Sequence, residues 1–83
     1  MSLRVQTLLF AAYRDLAGTG SVEVDLRDGA TVADLVSALR SRGGGFARLP
    51  EQPAVAVNHR YARPDRPLSA GDEVALIPPV AGG

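Results

Sequence analysis

The strongest constraint on the fold is one amphipathic helix, at residues 31–42, which lies between two pairs of β-like segments. Its apolar residues recur at helical spacing along one stripe, which consists of Val32, Leu35, Val36 and Leu39. Thr31 and Asp34 match a capping box with the shorter acid, and the glycine run 43–45 follows the helix as a stop. This segment is therefore predicted to be a helix that packs one face on a sheet.

Four other segments have the alternation or the β-rich composition of strands. They are Leu3 to Phe10, Ser21 to Leu26, Ala54 to Asn58 and Val74 to Pro78. Between the first two, the stretch AAYRDLAGTG predicts a helical turn that Gly18 stops. Between the last two, the stretch HRYARPDRPL is predicted to be a loop, because Pro64 and Pro67 interrupt it.

The order of these elements is strand, strand, helix, strand, strand, within a chain of 83 residues that is sufficient for one domain. The first two strands can form a hairpin, and the last strand can return to lie beside the first. This order predicts an α+β β-grasp: a mixed sheet of four to five strands with one main helix on one face. Residues 1–77 would form this domain, and residues 78–83 an extended tail.

Composition excludes several classes of function. The formal net charge is +0, which gives no electrostatic basis for binding nucleic acid. The chain has no cysteine, so disulfides, thiolate metal sites and cysteine nucleophiles are excluded, and it has no lysine. No apolar stretch approaches the roughly 20 residues that span a bilayer, and nothing resembles a signal peptide. We therefore expect no membrane partner and a cytoplasmic protein.

A conventional active site is not predicted. His59 is the single histidine, and a lone histidine in a turn is usually a solvated side chain. Asp72 and Glu73 are adjacent, so on a strand they would point to opposite faces and make a poor acid–base pair. We expect the chain to be non-catalytic alone and to bind no metal or cofactor.

The sequence IPPVAGG at residues 77–83 is the candidate site. Pro78 and Pro79 favour an extended polyproline conformation, which would hold the tail away from the sheet. Gly82 and Gly83 have no β-carbon and can pass through a narrow channel. The carboxyl group of Gly83 would be an unhindered acyl donor, once a partner that supplies ATP has activated it. A frayed chain end is the alternative.

A second candidate site is an apolar surface beside the tail. If the first and last strands are neighbours, Leu8 and Phe10 should lie near Ala75 and Ile77 on one face. These four residues would then form a patch that docks a partner and directs the tail into it. The alternative is that the helical turn after Phe10 covers Leu8 and Phe10.

These residues resemble those of a known family, the small subunits of molybdopterin synthase. The similar stretches are LLFAAYRDLAGT, TVADLVSAL, VAVN and LSAGDEVALIPPVAGG, in that order over nearly the whole chain. GDEVALIPPVAGG is the most specific of them, because the two prolines before Gly-Gly distinguish it from many related carriers. The least similar stretch is the connector RSRGGGFARLPEQP.

The resemblance implies a ubiquitin-like fold and a sulfur carrier. A ubiquitin-activating-like adenylyltransferase, which uses ATP and Mg, would adenylate Gly83, and the product would become a thiocarboxylate. The tail, Pro78, Pro79, Val80, Ala81 and Gly82, would then enter the active site of the large subunit. There the sulfur would pass to cyclic pyranopterin monophosphate to form the dithiolene of molybdopterin. The resemblance implies a heterotetramer of two small and two large subunits.

Three alternatives stay open from the sequence. A sulfur carrier for thiamin or tRNA thiolation would share the Gly-Gly end. A ubiquitin-like conjugation or interaction module would use the strand face and would need no sulfur. A regulatory β-grasp domain that binds a small ligand is the third, and the position of the Gly-Gly motif directly at the end of the sequence disfavours it.

Overall fold

The computed structural model describes residues 2–79, which contain five strands, two α-helices and one 3-10 helix. The strands are β1 (Ser2–Leu9), β2 (Ser21–Arg27), β3 (Ala54–Val57), β4 (Arg60–Ala62) and β5 (Glu73–Ile77). The helices are α1 (Ala11–Ala17), α2 (Val32–Arg40) and the 3-10 helix Gly44–Arg48. No helix in this part of the chain is long and apolar enough to cross a membrane.

The strands form one mixed sheet in the order β2-β1-β5-β3-β4. β1 and β5 are parallel neighbours at its centre, and the other pairs are antiparallel. A parallel pair needs a long crossover connection, and here the chain between β1 and β5 contains α2 and the other strands. The predicted α+β β-grasp, with the last strand beside the first, is confirmed.

The core lies between the sheet and the helices. β1 alternates as predicted, with Leu3, Val5 and Leu9 buried on the helix side. From α2 the predicted apolar stripe faces this layer, and its members are all buried: Val32, Leu35, Val36 and Leu39. Full burial of one such side chain contributes roughly 1.5–3 kcal/mol, so the shared interface holds α2 on the sheet.

The predicted capping box at the start of α2 is present. The Asp34 backbone N–H donates to the Thr31 hydroxyl at 3.3 Å, and the Thr31 backbone N–H donates to the Asp34 carboxylate at 2.9 Å. The hydrogen bond from the Thr31 backbone lowers the pKa of Asp34 below its usual range, against a smaller opposing effect of burial. The cap satisfies helix N–H groups that would otherwise have no partner.

The prediction that residues 59–68 form only a loop is wrong, because β4 lies within them. Asn58 and His59 both have positive φ, 51° and 72°, as the two central residues of a tight hairpin turn of the primed type do. This turn pairs Val57 with Arg60 and Val55 with Ala62. β4 is an edge strand of three residues and ends at Ala62, two residues before Pro64. Proline has no N–H for a ladder hydrogen bond, so it does not continue the strand.

The predicted ends of four strands also shift by one residue. β1 ends at Leu9 rather than Phe10, β2 at Arg27 rather than Leu26, and β3 at Val57 rather than Asn58. β5 ends at Ile77 rather than Pro78, which has no N–H for a ladder hydrogen bond. After α2, the glycine run does more than stop the helix. It leads into the 3-10 helix Gly44–Arg48, which packs between α1 and α2.

Thr7 is a polar residue within the core. Its side chain is fully buried on β1, and its hydroxyl has no hydrogen-bond partner among residues 2–79. A buried unsatisfied hydroxyl costs about 1–3 kcal/mol, and valine has nearly the same shape.

We therefore expect Thr7→Val to raise the free energy of unfolding by about 1 kcal/mol in urea denaturation. As a contrast, Thr31→Val removes a helix cap and should lower the free energy of unfolding by about 1 kcal/mol. A loss of stability in Thr7→Val would show that the hydroxyl has a partner.

Candidate docking face and tail exit

The tail leaves the sheet from its central strand. β5 lies between β1 and β3, ends at Ile77 and continues directly into Pro78, which is half-buried, and Pro79, which is exposed. Among the described residues, Leu76 is the last that belongs to the core. Val80, Ala81, Gly82 and Gly83 lie outside the described residues, so the role of the tail stays a prediction.

The sheet face opposite the helices, here called the open face, brings the other predicted site residues together. Leu8 lies directly beside Ala75 in the β1–β5 register. Ile77 follows Ala75 on the same face of β5 because side chains alternate along a strand. Phe10 is just beyond β1, but its extended backbone (φ −121°, ψ 153°) continues the alternation, so Phe10 shares the face of Leu8.

α1 leaves this surface accessible. Phe10 is 46% exposed and Leu8 is half-buried, so the helical turn does not cover them as the alternative proposed. α1 instead lies against the 3-10 helix, where Gly45 approaches the carbonyl of Leu16. The chain turns from β1 into α1 at Ala11, which has a φ of 47°, an uncommon value for a residue with a side chain.

Three further residues extend the patch, and the sequence-based interpretation missed them. Ala75 pairs with Ala56 on β3, Ala56 pairs with Tyr61 on β4, and Tyr61 is 77% exposed. Ala54 pairs with Ile77 one step closer to the tail. We define the apolar patch as Leu8, Phe10, Ala54, Ala56, Tyr61, Ala75 and Ile77. The Asn-His turn between AVAV and RYA is the signal that could have located Tyr61.

A groove of about 500 Å³ borders the apolar patch where the tail begins. Two tyrosines, four prolines and three other residues line it: Tyr13, Tyr61, Pro50, Pro53, Pro78, Pro79, Gln52, Ala54 and Ile77. None of these residues carries an acidic or basic side chain. The surface around the tail exit is therefore apolar on two sides.

The rest of the open face is charged. Arg4 lies between Glu23 and Asp25, with Nε–O distances of 3.5 Å and 2.9 Å. The hydrogen bond and the charge of Asp25, with a smaller contribution from Glu23, raise the pKa of Arg4. His59 Nε2 lies 3.3 Å from Glu73 Oε1 at the border with the apolar patch. These pairs are exposed and add little stability, but they mark where the apolar patch ends.

Asp72 joins the two turns beside this border. Its carboxylate accepts hydrogen bonds from the Ser69 backbone N–H at 2.8 Å and from the Asn58 amide at 2.9 Å, and Arg66 lies 3.6 Å away. Partial burial favours the neutral acid, but these three groups together hold the pKa of Asp72 below its usual value. Asn58 in turn accepts from the Glu73 N–H at 3.0 Å, so the network fixes the start of β5.

This network predicts an acid-sensitive contribution to stability. Because the folded pKa of Asp72 is lowered, its contribution is present above the unfolded pKa of about 4 and is lost as pH falls through the folded pKa. Asp72→Asn should therefore destabilise the protein at pH 7, and the difference from the parent should shrink below about pH 4. Urea unfolding across pH measures this. Asp65→Asn is the control, because the side chain of Asp65 is 82% exposed. If the difference in the free energy of unfolding between Asp72→Asn and the parent protein does not change with pH, the expectation is contradicted.

Within residues 2–79 no group of three or more histidine, aspartate or glutamate side chains is arranged to hold a metal ion. His59 is 83% exposed, and its described partner is Glu73. Beside these residues, an apolar patch and an apolar groove flank the exit of the tail.

Comparison with known proteins assigns the chain to a family. The model of the ThiS family matches residues 7–83. The molybdopterin synthase sulfur carrier subunit of Chlamydomonas reinhardtii is 34% identical, over 98% of this chain and 100% of the relative. That of Escherichia coli is 38% identical, over 95% and 99%.

A solved structure shares both the fold and the sequence similarity. The crystal structure of small archaeal modifier protein 1 from Haloferax volcanii superposes with a TM-score of 0.77 at 36% identity, over 96% of this chain and 99% of that one. The chain therefore belongs to the ThiS family and is similar over nearly its whole length to molybdopterin synthase sulfur carrier subunits, as its motifs predicted.

Proposed function

We propose that the chain is the sulfur carrier subunit of a molybdopterin synthase and that the carboxyl group of Gly83 carries the sulfur. The similarity to carrier subunits over nearly the full length of both chains is the observation that supports this most strongly. The position of the tail exit agrees with it, because β5 leads directly into Pro78 and Pro79 beside an exposed apolar patch.

The carboxyl group must be activated before it can accept sulfur. A ubiquitin-activating-like adenylyltransferase would bind ATP and Mg, and the Gly83 carboxylate would attack the α-phosphate and release pyrophosphate. A sulfur donor would then displace AMP and leave a thiocarboxylate. This chain supplies only the acyl group and the means to present it, in the cytoplasm, and the partner supplies the nucleotide site.

The large subunit would receive the charged tail. The apolar patch would dock on it, and the stiff segment at Pro78 and Pro79 would carry Gly83 into the active site. There the sulfur would pass to cyclic pyranopterin monophosphate and form the dithiolene of molybdopterin. Two small and two large subunits would form the working heterotetramer.

Reconstitution tests this function. The purified chain is incubated with the adenylyltransferase of the same organism, ATP, Mg and sulfide, and then with the large subunit and cyclic pyranopterin monophosphate. We expect molybdopterin to form only when all components are present. If the activating enzyme converts the chain to the thiocarboxylate but no molybdopterin forms, the proposal is contradicted.

Protein conjugation is a second candidate, favoured by the likeness to an archaeal modifier protein. The same activated Gly83 would then form an amide bond with a lysine of another protein. Since this chain has no lysine, its own side chains could not accept a second copy. Mass spectrometry of host proteins for a C-terminal fragment of this chain joined through Gly83 to a lysine distinguishes the two functions.

Charged residues in the apolar patch should impair docking more than folding. Phe10→Asp places a carboxylate on a side chain that is already 46% exposed, so the free energy of unfolding should fall by less than about 1 kcal/mol. Its docked form would bury that charge, so the affinity for the large subunit should fall at least about tenfold. Calorimetric titration and thermal unfolding give the two quantities. If the melting temperature drops sharply while the affinity is kept, Phe10 is a core residue and not a docking residue.

A further inference from the structure

The centre of the apolar patch is a depression between larger side chains. Its volume is about 340 Å³, and it is lined by Leu8, Phe10, Ala56, His59, Glu73, Ala75 and Ile77. Ala56 and Ala75 are paired neighbours on β3 and β5, and they supply the smallest side chains of this set. Leu8, Phe10 and Ile77 are larger and surround them. We call this depression the alanine trough.

The register shows how the trough is shaped. Leu8, Ala75, Ala56 and Tyr61 form one continuous row across β1, β5, β3 and β4. Neighbouring strands are about 4.8 Å apart, so the backbones of Leu8 and Tyr61 are separated by roughly 14 Å. Two alanines occupy the space between them, and a row of larger residues would have made this surface flat or convex.

The chemistry of the trough selects an apolar occupant. Its one charged end is the His59–Glu73 pair, whose groups already face each other at 3.3 Å. The floor and the remaining walls are apolar, without the several convergent polar groups that orient a small-molecule ligand. A polar group placed on the floor, away from the His59–Glu73 pair, would lose its hydration and gain no partner.

The position of the trough favours one partner. Ala75 and Ile77 belong to the strand that runs directly into Pro78 and Pro79, so the trough lies beside the point where the tail begins. A protein that receives the tail is therefore brought next to the trough. Bulky apolar side chains that enter pockets are the usual anchors of such interfaces.

We propose that the alanine trough binds one bulky apolar side chain, aromatic or aliphatic, that projects from the large subunit of the synthase. This inference rests on the proposed function and adds to it how the partner is recognised. Shape decides recognition here, because the side chain needs the empty space above Ala56 and Ala75. The bound side chain would then fix the position, relative to the partner, at which the tail begins.

Filling the trough tests the proposal. Ala75→Leu and Ala56→Leu each add apolar bulk to a half-buried position of an accessible sheet face. Alanine is a poor strand residue, so neither variant should lower the melting temperature appreciably. We expect each to weaken binding to the large subunit at least tenfold in calorimetric titration. Ala33→Leu adds the same bulk at an exposed position of α2, on the other side of the sheet, and should leave the affinity unchanged.

The outcomes separate this inference from the proposed function. If the patch were a general apolar surface, the added leucine would increase the buried apolar area, and binding would be unchanged or tighter. That result, with normal binding by the parent chain, overturns the trough and leaves the carrier function in place. A parent chain that does not bind the large subunit overturns both. Sedimentation of the free chain completes the test: a dimer that Ala75→Leu dissociates would assign the trough to a second copy and overturn the proposal.

Discussion

Addition of one residue after Gly83 is expected to abolish sulfur transfer while the fold stays intact. The extension replaces the Gly83 carboxyl with a peptide bond and moves the terminal carboxyl by about 3.5 Å. A misplacement of about 1 Å at a reacting centre can cost a hundredfold in rate, so we expect a loss of at least about a hundredfold in the reconstituted reaction. The last core residue among those described is Leu76, so the melting temperature should not change.

Deletion of Gly83 should have the same effect on transfer, because the new carboxyl on Gly82 would fall short by a similar distance. An extra residue before Met1 is the control and should leave the rate unchanged. Full activity of the extended chain would mean that the carboxyl group of Gly83 is not the reacting group.

The second large effect concerns folding. Gly45→Ala should destabilise the protein by about 3 kcal/mol, the upper end of the usual cost of overpacking. A β-carbon on Gly45 would overlap the carbonyl oxygen of Leu16 in α1, and a backbone atom cannot move away as a side-chain end can. For a domain of this size the melting temperature should fall by roughly 15 °C.

Gly20→Ala is the matched control for this prediction. A β-carbon on Gly20 would lie 3.3 Å from Cδ of Arg14, part of a flexible side chain, so the cost should be below about 1 kcal/mol. Equal melting temperatures for the two variants would show that the 3-10 helix does not lie tightly against α1. Because α1 begins directly after Phe10, loss of this contact should also disturb the apolar patch.

The periodic pattern of apolar residues predicted most elements of the fold. Strict alternation identified the buried side of β1, and the stripe on α2 identified its packing face, since both patterns reflect burial on one side only. The element order placed the last strand beside the first, and this placement predicted that Leu8 and Ala75 are neighbours.

The features that the sequence did not reveal depend on contacts between distant segments or on short turns. β4 has three residues, too few for a periodic pattern, and the two positive φ values that form its hairpin belong to Asn58 and His59, where no glycine marks the turn. The need for glycine at position 45 arises from α1, which is far away in the sequence. The depression over Ala56 and Ala75 likewise exists only because β3 and β5 pair in this register.

The most direct test of the central claim is the mass of the C-terminal peptide of this protein, purified from its native host while molybdopterin is being made. We predict a fraction in which one oxygen of the Gly83 carboxyl is replaced by sulfur, and the loss of that fraction when the activating enzyme is deleted. A peptide that carries only the free carboxylate, in cells with normal molybdopterin synthesis, would contradict the assignment of Gly83 as the sulfur-bearing group.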